Sequence, residues 1–336
     1  MAFSKGPQAA RITSTDVARA AGVSRATVSF VLNGTSTARI SEETRSRVLA
    51  AADELGYVPH AAARSLRAGR SDLILLPAAV SATGRLFSDW VDDMETALGE
   101  RGYTVVLHGN RSPDPVTAAR AWAQLRPAAV LAMAPNSLTA EAVQVLAQAG
   151  TTAVLTIAPE PMPGVFTLLG DQSDIGRVAA EHLVSRGRRR IGVLMPTERG
   201  LSAFAEPRLA GIQRVATVHG ATVTPLPMPY GGEAASALAV LCRELGLDAV
   251  FGYNDEYAAL LSAALNDHGV DVPGQIAVVG ADDLLLAQIV RPQLTSVRYR
   301  LPAADLIADT VDSLINRGTA EPLPSVWFEP VPRQSS

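Results

Sequence analysis

From residue 71 onward the chain alternates between short apolar runs and longer amphipathic stretches, and the series runs through twice. In the first pass, apolar runs at 73–76, 104–107, 129–133 and 153–157 are separated by helical patterns at 90–99, 116–125 and 140–149. In the second, runs at 190–194, 249–253 and 276–280 alternate with helical patterns at 176–185, 208–219, 234–245 and 256–268. Strands that are apolar along their whole length are buried on both faces, so helices must cover each side of the sheet. The pattern therefore predicts an α/β body of two doubly wound parallel-sheet subdomains. In such sheets a ligand sits beyond the carboxyl ends of the strands. The polar residues at those ends are Asp171, Asn254-Asp255 and Asp282-Asp283.

Charge separates the body from what precedes it. Residues 1–70 carry ten Lys and Arg against five Asp and Glu, a net of +5, while the remainder carries 19 against 28, a net of −9. A basic head on an acidic body points to a polyanion as the partner of the head alone. The head reads as short helices. Thr13 and Asp16 are spaced to cap a first helix that ends at Gly22, and Ser24 caps a second that runs from Arg25 to Leu32. Two short helices around a glycine-containing turn make a helix-turn-helix, whose second helix enters the major groove. In that helix Val28, Val31 and Leu32 have the spacing of a buried stripe. Arg25 has the donor fork that reads guanine, Ala26 is small enough to meet a thymine methyl, and Thr27 and Ser29 offer hydroxyls to phosphates or base edges. Two readings of Phe30 stay open: an apolar contact to DNA, or an aromatic of the core or of an interface. A third helix is expected to start after Ser41 and run to Leu55.

Several functional classes are disfavoured. The longest apolar runs, 73–80 and 128–134, are seven or eight residues, and a membrane span needs about 20. The first eleven residues have no apolar segment of the signal-peptide kind. A single cysteine, Cys242, makes no disulfide framework, and the five histidines have no metal-binding spacing. No phosphate-binding glycine loop, zinc-protease motif or nucleophile elbow is present. The expectation is a cytoplasmic, non-enzymatic protein with no cofactor and no membrane association.

Ordered motifs carry a resemblance. Thr15-Asp16-Val17-Ala18, Ala21-Gly22-Val23-Ser24, Ala26-Thr27-Val28-Ser29 and Val31-Leu32-Asn33 resemble the signature of the LacI family of bacterial transcriptional regulators. So do Leu55-Gly56-Tyr57, Pro59 and Ala63-Arg64-Ser65-Leu66, and in the body Glu181-His182-Leu183, Arg208-Leu209-Ala210-Gly211, Gly280-Ala281-Asp282-Asp283 and Pro332-Arg333-Gln334-Ser335. The loop 35–39 is longer than in the best-known member, and His60 stands where the family usually has asparagine.

The resemblance implies a flexible arm at 1–10, a helix-turn-helix domain at 11–58 and a hinge helix within 59–71. It implies an effector-binding and dimerisation domain at 72–336 of the periplasmic-binding-protein fold. The two subdomains of that domain are expected at about 72–159 with 298–318 and 160–297 with 319–336. It implies a homodimer on a near-palindromic double-stranded DNA operator, repression as the usual outcome, and a small-molecule effector, a carbohydrate or related metabolite, in the cleft. DNA contacts fall on Thr15, Ser24, Arg25, Ala26, Thr27, Ser29, Phe30, Asn33, His60, Ala63 and Leu66. Leu66 would wedge into the minor groove, the alternative being a linker leucine packed on the body. Effector contacts fall on Ser81, Asp171, Arg208, Asn254 and Asp282. Alternatives stay open here too: an internal Arg208–Asp282 ion pair, Asp255 or Asp283 as helix caps, and Phe204 and Tyr253 as core or as stacking surfaces. Trp90 and Met94 lie on a helix that resembles the family's dimer helix. The stretch 77–87 departs from the family in lacking its usual Asp and Asn, so a sugar effector does not follow automatically; Ser81 and Arg85 there would suit an anion. The reading from a different class is a solute-binding module without sequence-specific DNA function.

Overall fold

The computed structural model describes residues 12–32, 40–58, 71–78, 84–109, 112–135, 137–198 and 200–336. Asn33, His60, Ala63, Leu66 and Ser81 lie outside the described residues, as do the arm at 1–10 and the expected hinge helix. The chain divides into two compact units, Met1–Ser71 and Asp72–Ser336.

In the head, local chemistry sets the helix ends. The amide and hydroxyl of Thr13 both donate to the Asp16 carboxylate, at 2.9 and 2.7 Å, and open α1 (Ser14–Ala21). These bonds, the hydroxyl first, hold the Asp16 carboxyl below its usual range. Gly22 ends the helix in the left-handed region at φ 64°, which costs glycine little. The Ser24 hydroxyl accepts the Thr27 amide at 3.1 Å and starts α2 (Arg25–Leu32). Ser41 accepts the Thr44 amide at 3.3 Å and starts α3 (Glu42–Glu54). Val17, Val28, Val31 and Val48 meet in the centre of the head. The stripe expected of α2 is the buried one, and Arg25, Ala26 and Phe30 face outward.

The body contains two sheets. The first is β1 (Leu73–Ala78), β2 (Thr104–Gly109), β3 (Ala129–Ala132), β4 (Ala153–Ala158) and β5 (Phe166–Leu169), all parallel in the order β2-β1-β3-β4-β5. Helices α4 (Arg85–Glu100), α5 (Pro115–Ala123) and α6 (Ala140–Gln148) link its first four strands. Alternate residues divide between its faces. Ile74, Leu76, Leu131 and Leu155 pack with α4, while Leu75, Val130 and Val154 pack with α5 and α6. The second sheet is β6 (Arg190–Pro196), β7 (Thr222–Met228), β8 (Ala249–Phe251), β9 (Ala277–Ala281), β10 (Thr295–Arg300) and β11 (Trp327–Val331). Its order is β11-β10-β9-β8-β6-β7, the same winding as the first with one antiparallel strand, β11, added beside β10. Its helices are α7 (Gln172–Ser185), α8 (Ser202–Val218), α9 (Gly232–Glu244), α10 (Asp255–Asp267) and α11 (Leu285–Ile289). After β10 the chain returns to the first half as α12 (Ala304–Arg317), whose Ile307, Ala308 and Val311 complete the core beside α4.

The subdomain limits differ from those expected. β5 hydrogen-bonds along β4, so the first half extends to Leu169 rather than to 159. β10 pairs with β9 and reaches Arg300, so the return crossing falls after 300 rather than before 298. Short strands at a sheet edge leave little periodicity to detect. The prolines of β7, Pro225 and Pro227, also mask a strand, and β7 is tolerated as such because it lies at the edge. α8 starts at Ser202, before Pro207, where a helix start at 208 was expected. The expectation that Trp90 and Met94 serve a dimer contact is also corrected. Both are buried in the first half's own core, at 9% and 0% exposure, because the amphipathic face of α4 is used against β1 and β3.

α7 and α8 approach backbone to backbone. A Cβ on Gly176 would stand 1.9 Å from the Arg208 carbonyl oxygen, and one on Gly211 would stand 2.0 Å from that of Ser173. Neither obstacle is a movable side-chain end. Gly176→Ala is therefore expected to cost about 2–3 kcal/mol, read as a lower midpoint of thermal unfolding. An unchanged midpoint would mean that the two helices part without penalty.

Candidate functional site

A cavity of about 430 Å³ lies at the carboxyl ends of both sheets of the body, where doubly wound folds take their ligands. Its two walls differ in chemistry. Among the described residues, the first half contributes Pro77, Leu86, Phe87, Trp90, Met133 and Ile157. The second half contributes Arg208, Asn254, Asp282, Gln172, Glu198 and Glu256, along with tyrosines at 230, 253 and 257.

Arg208 is 6% exposed and is held from two sides. Its Nε donates to Gln172 Oε1 at 3.0 Å, its Nη1 donates to the Tyr253 carbonyl at 2.5 Å, and its guanidinium lies 4.7 Å from the Tyr253 ring centre. No carboxylate lies within ion-pair distance of it among the described residues, so the alternative of an Arg208–Asp282 salt bridge is not what forms. Burial raises the Asp282 carboxyl above its usual range; Arg208 opposes the shift and Glu256 adds to it. Asn254 caps α10 by accepting the Tyr257 amide at 3.1 Å, and its Nδ2 turns to Glu256 Oε2 at 3.4 Å. Glu198 accepts the Tyr257 hydroxyl at 2.5 Å and the Tyr230 amide at 2.6 Å. Burial would raise Glu198, but these donors outweigh it and hold the carboxyl low. The Tyr257 hydroxyl is raised in turn, by burial and by its acidic partner. The Tyr253 hydroxyl is pushed up to about 12, chiefly by burial. Phe204 and Tyr253 both line the cavity, and Tyr253 belongs to the core beneath it as well.

The turn that presents Asp282 is tied at every amide. The amide of Asp282 donates to the Val297 carbonyl at 2.9 Å, that of Asp283 to Ser296 Oγ at 3.0 Å, and that of Leu284 to Asp255 Oδ2 at 2.7 Å. Asp282 and Asp283 have φ values of 92° and 51°. Left-handed conformations in non-glycine residues persist only where the surroundings over-determine them. The Asp283 carboxylate is clamped by Arg333 at 2.6 Å and Arg298 at 2.7 Å. Asp255 accepts the Ser296 hydroxyl at 2.6 Å from within the core. Neither Asp255 nor Asp283 is a helix cap: Asn254 caps α10, and Asp283 is an ion-pair centre.

One expected cavity residue is elsewhere. Asp171 caps α7 with both carboxylate oxygens, accepting the Ser173 amide at 2.8 Å and the Ser173 hydroxyl at 2.6 Å. Its neighbour Gln172 lines the cavity instead. Glu198, Glu256 and Tyr257 were missed. Glu198 follows an apolar strand just as Asn254 does, so the strand-end rule that found Asn254 applied to it equally. In the head, Thr15, Ser24, Arg25, Ala26 and Phe30 are exposed, Phe30 at 40%, while Thr27 and Ser29 are half-buried. At that exposure Phe30 is not an aromatic of the core.

Burial pushes the Asp255 carboxyl from 3.8 up to about 8, against the bonds from Ser296 and Leu284. The folded state then keeps a proton that the unfolded chain releases above 3.8. Stability should fall as pH rises from that value toward about 8. Asp255→Asn is expected to flatten this slope in thermal unfolding measured across the interval, and an identical slope would mean the carboxyl titrates elsewhere.

Among the described residues, no helix is long and apolar enough to cross a membrane, and no three His, Cys, Asp or Glu side chains group to hold a metal ion. Residues 13–60 match the family described as bacterial regulatory proteins, lacI family, and residues 180–336 match the periplasmic binding protein-like domain. The HTH-type transcriptional regulator GalR of Escherichia coli (strain K12) is 32% identical over 321 residues, covering 93% of this chain and 90% of that protein. The HTH-type transcriptional repressor PurR of Vibrio campbellii is 30% identical over 291 residues, covering 84% and 85%. The structure of the transcriptional regulator CelR in complex with cellobiose superposes with a TM-score of 0.63 at 27% identity, covering 97% of this chain and all of that one. A basic helix-turn-helix head, a doubly wound body of two halves and similarity along nearly the whole chain lead to one conclusion: the chain belongs to the lacI family of bacterial regulatory proteins and is a DNA-binding regulator of transcription, not an enzyme.

Proposed function

We propose that the protein is a cytoplasmic repressor that binds a near-palindromic operator as a homodimer and changes its operator affinity when a small molecule occupies the cavity of the body. The observation that carries the effector half of this reading is Asp282. Its carboxylate is turned into a cavity beside Arg208, and neither makes an ion pair there among the described residues. A donor fork next to an acceptor carboxylate suits a ligand with paired hydroxyls, and the structural neighbour CelR is seen in complex with cellobiose. Asn254 completes the set, and Asp171 contributes only through α7.

The two halves are joined by chain crossings near 170, 301 and 325. A ligand touching both walls favours their closed arrangement by the difference in its affinity for the two states. Exposed Leu285 and Ile289 on α11, at 71% and 62%, supply an apolar surface for self-association. In the head, Arg25 at the outward start of α2 is assigned to base reading, with Ala26 and Phe30 making apolar contacts and Thr15, Ser24, Thr27 and Ser29 close to the backbone or base edges. Asn33, His60, Ala63 and Leu66 are assigned to DNA on the family resemblance alone.

Selection of bound sequences from a random duplex pool is expected to enrich a near-palindrome. Absence of enrichment would favour a solute-binding module without DNA specificity. Arg25→Ala should relax the preference at one position of each half-site by about 1–3 kcal/mol; an unchanged preference removes Arg25 as a reader. Asp282→Asn should abolish the response to effector while operator affinity without effector is retained. A normal response would move the effector site out of this cavity.

A further inference from the structure

Among the described helices of the body, those of eight or more residues end alike, with one exception. All but α5 are followed within two residues by a glycine in the left-handed region, among them Gly102, Gly150 and Gly246 at φ 82°, 93° and 64°. After α5 the left-handed residue is Arg126, at φ 48°, its amide donating to the Ala123 carbonyl at 3.0 Å. Among the described residues only Asp282 and Asp283, beside the cavity, share that region without being glycine. An arginine there carries a backbone cost that glycine avoids, and strain of this kind points to a role for the side chain. We infer that the corner formed by the ends of α5 and α6, with Arg120 and Arg126 as its cations, holds the sugar-phosphate backbone of the duplex that the head binds.

The chemistry of the corner is the first argument. An open groove between the two helix ends is lined in part by Arg120, Gln124, Arg126, Gln148 and Gly150, with no carboxylate among its described lining residues. Both arginines are exposed, and neither pairs with a carboxylate among the described residues. The acids of these helices stand at their other ends: Asp114 caps α5, and Glu141 lies in the first turn of α6. On a body whose charges sum to −9, a polyanion meets no close repulsion here. Arg120, in the last turn of α5, also complements the helix dipole. Arg126 lies beyond the helix and is strained, so the dipole does not account for it. The amides of Gln124 and Gln148 add the uncharged donors that phosphate oxygens take alongside arginine.

The covalent path of the chain is the second argument. Ala128, two residues after Arg126, donates its amide to the Leu73 carbonyl at 2.8 Å, and Leu73 is the first residue of β1, where the chain enters the body. The corner therefore lies at the amino end of the first sheet, opposite the end that opens to the cavity. Between Val58 of the head and Leu73 stand residues 59–72, fourteen in all. Such a length spans at most about 50 Å. A duplex held by the head is thereby kept at a high effective concentration at the corner, and contacts too weak to bind DNA alone add to those of the head. Phosphate contacts carry no sequence information, so the corner contributes affinity and salt dependence rather than base choice.

The test is fluorescence anisotropy of a labelled random-sequence duplex of about 40 base pairs, titrated with the full chain at about 50 to 200 mM salt, beside the thermal unfolding midpoint of each variant. A random duplex makes the outcome independent of whether the head selects a near-palindrome. Arg126→Gly removes the charge and the strain together. It is expected to weaken binding about threefold or more at the low-salt end and to lower the slope of log K against log salt by about one per subunit. Its midpoint is expected to rise by about 2 °C. Arg120→Gln should weaken binding in the same way with little change in midpoint. Arg126→Lys keeps the charge and should bind as the unaltered chain does. Arg243→Gln, which takes a positive charge from the last turn of α9 in the second half, should change neither affinity nor slope. The inference is overturned if Arg126→Gly leaves affinity and slope unchanged, an outcome that assigns the corner to an acidic protein partner instead. It is overturned equally if affinity and midpoint fall together, which would make Arg126 a support of the fold, if Arg126→Lys loses as much as Arg126→Gly, or if Arg243→Gln weakens binding to the same extent.

Discussion

A carboxylate whose side chain is 6% exposed, with a guanidinium on each oxygen, sits at the junction of three chain segments. Asp283 follows β9, Arg298 lies on β10, and Arg333 follows β11. Leaving such a carboxylate buried without partners would cost several kcal/mol, so the three segments are held to one arrangement. Arg333 adds a bond from Nη1 to the Leu294 carbonyl at 2.9 Å. Ser335, two residues on, stitches the same region by donating to the Val278 carbonyl at 2.6 Å and accepting the Thr295 amide at 2.8 Å. The result is a rigid edge from which one side chain, that of Asp282, is free to face the cavity. Two consecutive left-handed aspartates are tolerated because the ion pairs and three anchored amides leave the turn no other conformation.

The same logic places the remaining polar groups. Arg208 and Gln172 belong to α8 and α7, which touch through Gly176 and Gly211. Helices packed at backbone distance slide little against each other, so the guanidinium is held by its helix as well as by its hydrogen bonds. The second half is thereby a preformed polar wall. Among the described residues, the first half offers an apolar wall built from α4 and the ends of β1, β3 and β4. In the proposed mechanism the ligand is what joins them, and its differential contact with open and closed arrangements is the source of coupling to the DNA.

Much of the architecture was legible in the residues. Near-continuous apolar strands can be buried only between helical layers, so the doubly wound halves follow from the pattern at 73–280. Capping chemistry at Thr13, Ser24 and Ser41 located the head helices, because a helix start is decided by side chains within three residues of it. What escaped was at the edges. β5 has four residues, β7 contains two prolines, and β11 runs antiparallel. Each is a strand because a neighbour completes it, and no local periodicity announces that neighbour.

The site divides in the same way. Residue type and position at strand ends singled out Asn254 and Asp282 from sequence, since the winding of a parallel sheet dictates where its loops converge, and family likeness singled out Arg208. Sequence could not distinguish Asp171 from Gln172, because which of two adjacent polar residues caps a helix and which faces a cleft depends on the rotation of α7 against α8. It assigned Trp90 and Met94 to an outer contact, whereas the packing of α4 on β1 and β3 turns them inward. Local chemistry determined the elements and the kind of site. Only tertiary packing decided which side chains remain available to a ligand, because availability is what is left after every buried polar group has found its partner.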